Sequence, residues 1–269
     1  MSEFANAMEV FKLLDKSNCR DCGEKTCLAF AGAVYQGKRQ LSECPKISKE
    51  IIRQYHGDQS QEATSIELEM NGIVEDLKKQ VRSVDLISIA DRTGGRIVNN
   101  KLVIKTLGKD IGIDSQGNLY SDIHLHQWIT IPLLSYLLDC KGAPLSETWV
   151  PFRELKNGKT FAPLFEQRCE KPLKKVADTY TDLFEDMVHL FNGRQVEKHY
   201  QADISLVLHP LPKVPILICY WKPEDGLESS LHLFFDAAVE DNLNIRAVYS
   251  LTAGLVIMFE KISLRHGLR

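Results

Sequence analysis

The sequence predicts an α+β protein in which a small helical domain precedes a larger domain of mixed helices and strands. Apolar residues in the first 80 positions recur with a period of about 3.6, and from Gly94 onward the period falls to about two. The later helices and strands do not alternate regularly, as they would in a doubly wound parallel sheet. A chain of 269 residues has room for two such domains.

A composition change marks the predicted boundary between the two domains. Residues 56–64 are polar, contain a glycine and lack large apolar side chains, which is typical of a linker. We therefore expect one domain at residues 1–56 and a second at residues 65–269.

The first domain is predicted to contain three short helices, at 4–14, 24–35 and 46–55. In the first helix Phe4, Met8, Phe11 and Leu14 share one face, which we expect to pack over the second helix. Gly37 is expected to end the second helix, because glycine is common just beyond a helix C-terminus.

The second domain is predicted to begin with a helix over 65–82 and to continue with a meander of short strands. Turns rich in Asn and Gly separate the strands, at 96–98, 101–104, 110–113 and 119–120. Further helices are predicted at 124–139, 172–191 and 251–265. Further strands are predicted at 202–208, 214–221 and 231–236, the first two forming a hairpin.

The most specific chemical pattern is a group of four cysteines in the first domain. Cys19, Cys22, Cys27 and Cys44 have the spacing C-x2-C-x4-C-x16-C. A cubane iron-sulfur cluster needs four thiolates that converge on one small volume, and a tight loop with a distant fourth cysteine can deliver them. Gly23 suits the tight turn, because it adopts positive φ without a Cβ penalty.

Two other interpretations of this pattern stay open. Four cysteines also form tetrahedral zinc sites, although zinc ribbons usually contain two C-x2-C pairs, whereas Cys27 and Cys44 are isolated here. The thiols could also be inert. A helix that starts near the third cysteine favours a cluster, because its N-terminal N–H groups attract a negatively charged core.

The run N-C-R-D-C-G-E-K-T-C-L-A-F-A, followed by Cys44-Pro45, resembles the four-cysteine domain of the corrinoid iron-sulfur protein large subunit and of the B subunit of Rnf-type electron-transport complexes. The resemblance covers residues 5–56. It implies a low-potential [4Fe-4S] cluster held by Cys19, Cys22, Cys27 and Cys44. Residues 149–155 and 233–236 resemble an uncharacterised prokaryotic domain that occurs fused to such a domain and has no assigned activity.

Charge and composition limit the function classes. Residues 1–56 contain nine Lys/Arg and seven Asp/Glu, a net charge of +2, and residues 57–269 contain 24 and 29, a net charge of −5. An acidic main body argues against nucleic-acid binding. No signal peptide is visible, and the most apolar run, 204–221, is interrupted by polar residues and prolines, so we predict no membrane span. An odd number of cysteines and a thiolate site favour the cytoplasm, and the resemblance favours an anaerobe.

Other candidate groups are weaker. The order Asp122, His124, Gln127 departs from the cobalamin lower-ligand pattern D-x-H-x-x-G, since glycine is absent, and His124 and His126 are expected to cap a helix or face solvent. Arg153 and Glu154 are expected to form an ion pair or anchor a ligand, and Asp236 to cap a helix. The remaining cysteines are expected to be buried core thiols, and these are Cys140, Cys169 and Cys219.

These observations lead to three functional hypotheses. The first is an iron-sulfur protein that transfers single electrons to a redox partner protein, which the resemblance suggests is a corrinoid-dependent system. The second is an enzyme whose large domain binds a substrate or second cofactor and receives electrons from the cluster. The third is a regulatory or structural module in which the cluster only stabilises a small domain.

Overall fold

The computed structural model describes residues 6–36, 38–48, 51, 68–123, 125–180, 182–197, 199–224 and 226–266. The chain divides into two compact units, Met1–Met70 and Asn71–Arg269. Helices and two antiparallel sheets confirm the predicted α+β class. The domain boundaries and the linker at 56–64 stay predictions, because that stretch lies outside the described residues.

The small unit contains two α-helices and a 3-10 turn, namely α1 (Ala7–Leu13), α2 (Cys27–Tyr35) and the 3-10 helix Leu41–Glu43. As predicted, α1 packs on α2. Met8 is 52% exposed and Val10 is fully buried instead, so the predicted buried face of α1 is partly wrong. The predicted stop at Gly37 and most of the helix predicted at 46–55 lie outside the described residues.

The second helix starts three residues later than predicted because Thr26 caps it. The Thr26 hydroxyl accepts a hydrogen bond from the backbone N–H of Ala29 at 3.1 Å, so one of the first free N–H groups of the helix is paired. Cys27 is therefore the first residue of α2.

The large unit begins within a helix over residues 68–81 (α3) and continues with a short helix α4 (Leu86–Ala90) and an antiparallel sheet in the order β1-β2-β3-β4. These strands confirm the predicted meander, and they are β1 (Arg96–Val98), β2 (Lys101–Thr106), β3 (Lys109–Ile113) and β4 (Leu119–Tyr120). The alternating burial of β2 places Leu102 and Ile104 in the core.

A second antiparallel sheet has the order β5-β9-β8-β7-β6. The hairpin of β7 and β8 and its neighbour β9 were predicted, and the short strands at both sheet edges were not. The strands are β5 (Trp149–Pro151), β6 (Arg194–Gln195), β7 (Ile204–Leu211), β8 (Val214–Trp221) and β9 (Ser230–Asp236). A register shift in β7 between Leu208 and Leu211 lets the hairpin include the proline-containing segment that was predicted as a turn.

Helices cover the second sheet and complete one core. They are α5 (Gln127–Asp139), α6 (Gly158–Phe165), a π-helical segment (Glu166–Glu170), α7 (Lys171–Thr179), α8 (Leu183–Phe191), α9 (Val239–Asn242) and α10 (Ile245–His266). The single helix predicted over 172–191 is wrong, because α7 ends at Thr179 and α8 begins at Leu183. The second of these helices ends before Asn192, as predicted, where a left-handed backbone closes it.

One described helix is long and apolar enough to cross a membrane by length and composition, Ile245–Leu264. The apolar pattern of the sequence predicted a shorter helix here, at 251–265, and no span. Leu251, Leu255 and Phe259 on this helix are buried in the core of the large unit, and 44% of the window is buried. A core helix of a folded unit has the same composition, so the segment is weak support for a membrane span.

Candidate metal centre

The loop that carries Cys19 and Cys22 is held in an unusual backbone conformation. Lys16, Asn18 and Arg20 have φ values of 62°, 52° and 69°, and Gly23 has 83°. A left-handed conformation is unfavourable for residues that have a Cβ, by roughly 1–2 kcal/mol each. Such strain persists only where surrounding contacts fix the backbone, and it concentrates at functional sites.

Asn18 fixes the loop to the start of α2 through two hydrogen bonds. Its side-chain Oδ1 accepts from the backbone N–H of Cys27 at 2.8 Å, and its own backbone N–H donates to Cys27 Sγ at 3.4 Å. Asparagine tolerates the left-handed backbone better than most residues, which explains its presence at this position. The result is a buried thiol that already receives an N–H donor.

Cys44 follows the 3-10 helix and lies in the same environment. Its side chain is 5% exposed, and its carbonyl oxygen accepts from the backbone N–H of Ile47 at 3.2 Å. Burial raises the pKa of the Cys44 thiol, the backbone N–H groups of Lys46 and Ile47 lower it, and the charges of Cys22 and Cys19 raise it. Cys44 is therefore close enough to Cys19 and Cys22 for their charges to affect the pKa of its thiol.

Two ionic ties brace the cysteine loop. Arg39 donates to Glu43 at 2.7 Å and lies 3.7 Å from Glu24, so it joins the loop to the turn before Cys44. At the other end, Lys46 lies 3.5 Å from the carboxylate of Asp15. These cations also interact with the cysteines, since the thiolate of Cys19 raises the pKa of Lys46.

A small hydrophobic cluster holds the sulfur ligands in place. Cys27 and Cys44 belong to its buried residues, and Cys22 packs against it from the side. The largest apolar member is Phe30 from α2, which is 1% exposed. Cys19 and Cys22 are only half-buried, so the four thiols lie between this core and the surface.

The four cysteines fit a cluster in three respects. All are free thiols, three pack in or against one apolar core, and the backbone N–H of Asn18 donates to the sulfur of Cys27. Hydrogen bonds to sulfur are one of the means by which proteins stabilise and tune bound clusters. Within the described ranges, no group of three or more His, Cys, Asp or Glu side chains forms a site for a single metal ion.

Several other sequence candidates have structural roles. The imidazole of His126 accepts from the N–H of Trp128 at the start of α5, as predicted, while His124 lies outside the described residues. The predicted ion pair of Arg153 and Glu154 is wrong, because both side chains are exposed and no ion pair joins them, while the alternative of a ligand anchor stays a prediction. The three remaining cysteines are buried, as predicted.

Asp236 anchors a loop and does not cap a helix as predicted. It is 1% exposed, and its carboxylate accepts hydrogen bonds from the backbone N–H groups of Ser146, Glu147 and Ala238 at 2.7–3.0 Å. The Ser146 hydroxyl adds a fourth bond at 2.9 Å. The carboxylate thus fixes the segment that leads into β5.

Sequence reasoning missed a cleft in the large unit that is lined by the π-helical segment and β9. No motif in the sequence marks it. Its residues come from separate segments, namely β5, the turn after it, α6, the π-helical segment, α7 and β9.

Taken together, the fold and the site define a cysteine-loop metal-binding unit joined to a larger α+β unit. Residues 85–258 match the family described as "Domain of unknown function (DUF3786)", and residues 14–46 match the family described as "Putative Fe-S cluster". The first match spans more than half of the chain, so the protein belongs to the DUF3786 family. Its N-terminal unit contains an iron-sulfur region.

Curated relatives match the N-terminal region alone. The corrinoid/iron-sulfur protein large subunit of Moorella thermoacetica is 49% identical over 41 residues, which are 15% of this chain and 9% of the relative. Acetyl-CoA decarbonylase/synthase complex subunit gamma 1 of Methanosarcina thermophila is 42% identical over 43 residues, 16% of this chain and 9% of the relative. The match thus spans about a tenth of these relatives. No solved structure matches the chain.

Proposed function

We propose that Cys19, Cys22, Cys27 and Cys44 hold one [4Fe-4S] cluster and that the protein transfers single electrons between this cluster and a partner. The observation that carries the proposal is that Cys22, Cys27 and the distant Cys44 pack in or against one apolar core, with the Asn18 N–H donating to the sulfur of Cys27. The match of residues 14–46 to an iron-sulfur family supports it.

A bound cluster would supply reversible one-electron chemistry, with a potential inside the range of about −700 to +450 mV that such clusters span. The residues of this chain would set the potential through charge and hydrogen bonding. N–H groups at Cys27 and Cys44 and the cations Lys46 and Arg39 favour extra negative charge at the sulfurs. The half-buried Cys19 and Cys22 would offer the side from which an electron enters or leaves.

The choice of partner rests on the one-electron chemistry of a cluster and on the similarity of the N-terminal region to known proteins. Relatives of the N-terminal region are named as subunits of a corrinoid/iron-sulfur protein and of an acetyl-CoA decarbonylase/synthase complex. We propose a corrinoid-dependent or other anaerobic redox enzyme as the partner, and a cytoplasmic location for the protein.

Anaerobic purification with iron and sulfide analysis tests the cluster assignment. We expect about four iron and four sulfide per chain and an EPR signal after reduction with dithionite. A redox titration followed by EPR should give one reversible midpoint potential, which electron transfer requires. Zinc in place of iron, with no EPR signal, would refute the cluster.

Cys27→Ser and Cys140→Ser form a matched pair of variants, because each replaces a buried thiol. Cys140 Sγ donates to the carbonyl of Arg92 at 3.1 Å, a bond that a serine hydroxyl can keep. Iron and sulfide should fall sharply in the Cys27 variant and stay at the wild-type ratio in the Cys140 variant. Equal losses in both would mean that the cysteines act through folding and not as ligands.

A specific observation favours a second function, an enzyme or binding protein whose large unit takes a small molecule. The cleft beside the π-helical segment is large enough for one.

A cluster that cannot be reduced without unfolding the small unit would instead support the remaining hypothesis, in which the cluster only stabilises that unit.

A further inference from the structure

An open cleft of about 960 Å³ lies beside the first half of β9. It exists because β5 is only three residues long and pairs only with residues 234–236 of β9. The preceding residues 230–233 pair with β8 on one side and have an open edge on the other. The π-helical segment Glu166–Glu170 lines the cleft on this side, and π segments are frequent at functional sites.

The open edge presents polar groups to the cleft. The Glu170 carboxylate accepts from the backbone N–H of Leu233 at 3.0 Å and lies 3.5 Å from Nδ1 of His232. Because strand backbone groups alternate in direction, the N–H of Leu231 points to the same open edge as that of Leu233. The His232 side chain is exposed and can reach a ligand, whereas Leu231 lines the cleft with its side chain buried.

The cleft has an excess of positive charge. Four cationic side chains line it, namely Arg153, Lys159, Lys171 and Lys174, against the two carboxylates Glu166 and Glu170. Lys171 pairs with Glu166 at 2.9 Å, and Lys174 pairs with Asp178 outside the lining. Among the described residues, neither Arg153 nor Lys159 makes an ion pair, so these two charges are available to a ligand.

The apolar wall of the cleft is rigid and aromatic. Phe152 and Phe165 stack with ring centroids 4.1 Å apart, and both rings meet Phe235 edge-on at about 6 Å. Phe234 stacks on Tyr200 at 4.4 Å. This packing fixes the rings and buries Phe152 and Phe165, which are 3% and 2% exposed, so the apolar surface open to a ligand comes from Ala162, Pro163 and the half-buried Phe234.

We propose that this cleft binds a small organic anion, with its carboxylate or phosphate group at Arg153 and Lys159 and its apolar body against Ala162, Pro163 and Phe234. Arginine suits this role, because its planar fork recognises carboxylate and phosphate groups with two parallel hydrogen bonds. A concave site with an apolar wall and a few convergent polar groups is the usual form of a small-molecule site.

This inference goes beyond electron transfer and does not depend on the cluster, since every residue that carries it lies in the large unit. Failure of ligand binding would leave the cluster assignment untouched. A protein without a cluster could still bind the anion.

The test titrates the full chain, purified anaerobically, with phenyl phosphate and with benzoate, and uses calorimetry or ligand-observed NMR. At least one of these probes should bind with a Kd of about 0.1–3 mM, as expected for a ligand of this size. Inorganic phosphate and benzyl alcohol, which have only the charge or only the ring, should bind at least about tenfold more weakly.

Two exposed lysines provide the matched comparison. Lys159 lines the cleft, and Lys175 lies on α7 outside it. Arg153→Ala combined with Lys159→Ala should weaken the better probe about tenfold, and Lys175→Ala should change its Kd less than about twofold. Glu166→Gln removes a negative charge from the cleft and frees Lys171, so it should strengthen binding about twofold.

The Glu166 variant keeps the test informative if the double variant folds poorly, because it predicts a gain of affinity. Failure of both probes to bind at about 10 mM would overturn the proposal. Binding that Lys175→Ala weakens as much as the double variant, or that benzyl alcohol matches, would also overturn it.

Discussion

Asn18 should control the local stability of the cysteine loop through two separable effects. It has a left-handed backbone with φ of 52°, and its side chain holds the N–H of Cys27 at 2.8 Å. Asn18→Gly removes the hydrogen bond together with the Cβ and leaves the backbone unstrained, whereas Asn18→Ala removes the bond and keeps a Cβ in the left-handed region without the polar group that helps asparagine tolerate it. The two variants therefore divide the role of one residue into a bonding part and a backbone part.

The structure sets the size of each effect. Loss of the hydrogen bond should cost about 1 kcal/mol, and glycine adds about 0.5 kcal/mol of chain entropy in the unfolded state, a total of about 1.5 kcal/mol. Alanine loses the same bond and has no polar side chain to offset the left-handed backbone, which then costs about 1–2 kcal/mol, a total of about 2–3 kcal/mol. At tenfold per 1.4 kcal/mol these free energies correspond to about 12-fold and about 30- to 140-fold.

Hydrogen–deuterium exchange of the α2 peptide, measured by mass spectrometry on the full chain, reports this local opening. The amide of Phe30 is hydrogen-bonded to the carbonyl of Thr26 at 3.0 Å, so its exchange requires the helix start to open. We expect exchange of this peptide to accelerate by the stated factors, with alanine above glycine.

Asn99→Ala is the control, because Asn99 also has a left-handed backbone, with φ of 49°, but lies in the turn between β1 and β2. It should leave the exchange of α2 at the wild-type rate. Equal acceleration by Asn18→Gly and Asn18→Ala would refute the assignment of backbone strain. No acceleration by either would refute the anchoring role of Asn18.

Two further predictions concern the large unit. Glu170 raises the pKa of His232 above its ordinary value of 6.5 through a hydrogen bond, so Glu170→Gln should lower that pKa in an NMR titration. Any stability from this pair is present below about pH 6.5 and is lost as the pH rises through the folded-state pKa. Gly254→Ala should lower the melting temperature, because a Cβ would lie 2.4 Å from the Trp128 ring. Gly72→Ala should raise the free energy of unfolding by about 0.5–1 kcal/mol, and with it the melting temperature, because the added Cβ would meet open space.

A control variant checks the His232 titration, and each of the two predictions has a result that would contradict it. Glu185→Gln removes an exposed acid on α8 and should leave the titration of His232 unchanged. A His232 pKa that does not move in Glu170→Gln would mean that the 3.5 Å contact carries no charge interaction. Equal shifts in melting temperature for the two glycine variants would mean that Trp128 yields to the added methyl group.

Local patterns predicted much of the fold, because periodicity and turn residues act over a few positions. The meander at β1–β4 and the hairpin of β7 and β8 follow directly from period-two runs and Asn-Gly or Pro turns. The helix over 172–191 was predicted as one piece because its apolar pattern is continuous. The helix ends near Tyr180, whose hydroxyl donates to Asp186 at 2.7 Å. The apolar pattern does not predict this contact.

The sequence alone determined the cysteine set of this protein. Four thiols at C-x2-C-x4-C-x16-C limit the chemistry of the first unit, because ligand type and spacing are local properties of the chain. Tertiary structure alone decided what surrounds those thiols and where the large unit has a cleft. Asn18 acquires its role by meeting Cys27, and the cleft arises because short β5 leaves part of β9 uncovered beside a π-helical segment. Such features depend on contacts between distant segments, which only the folded chain brings together.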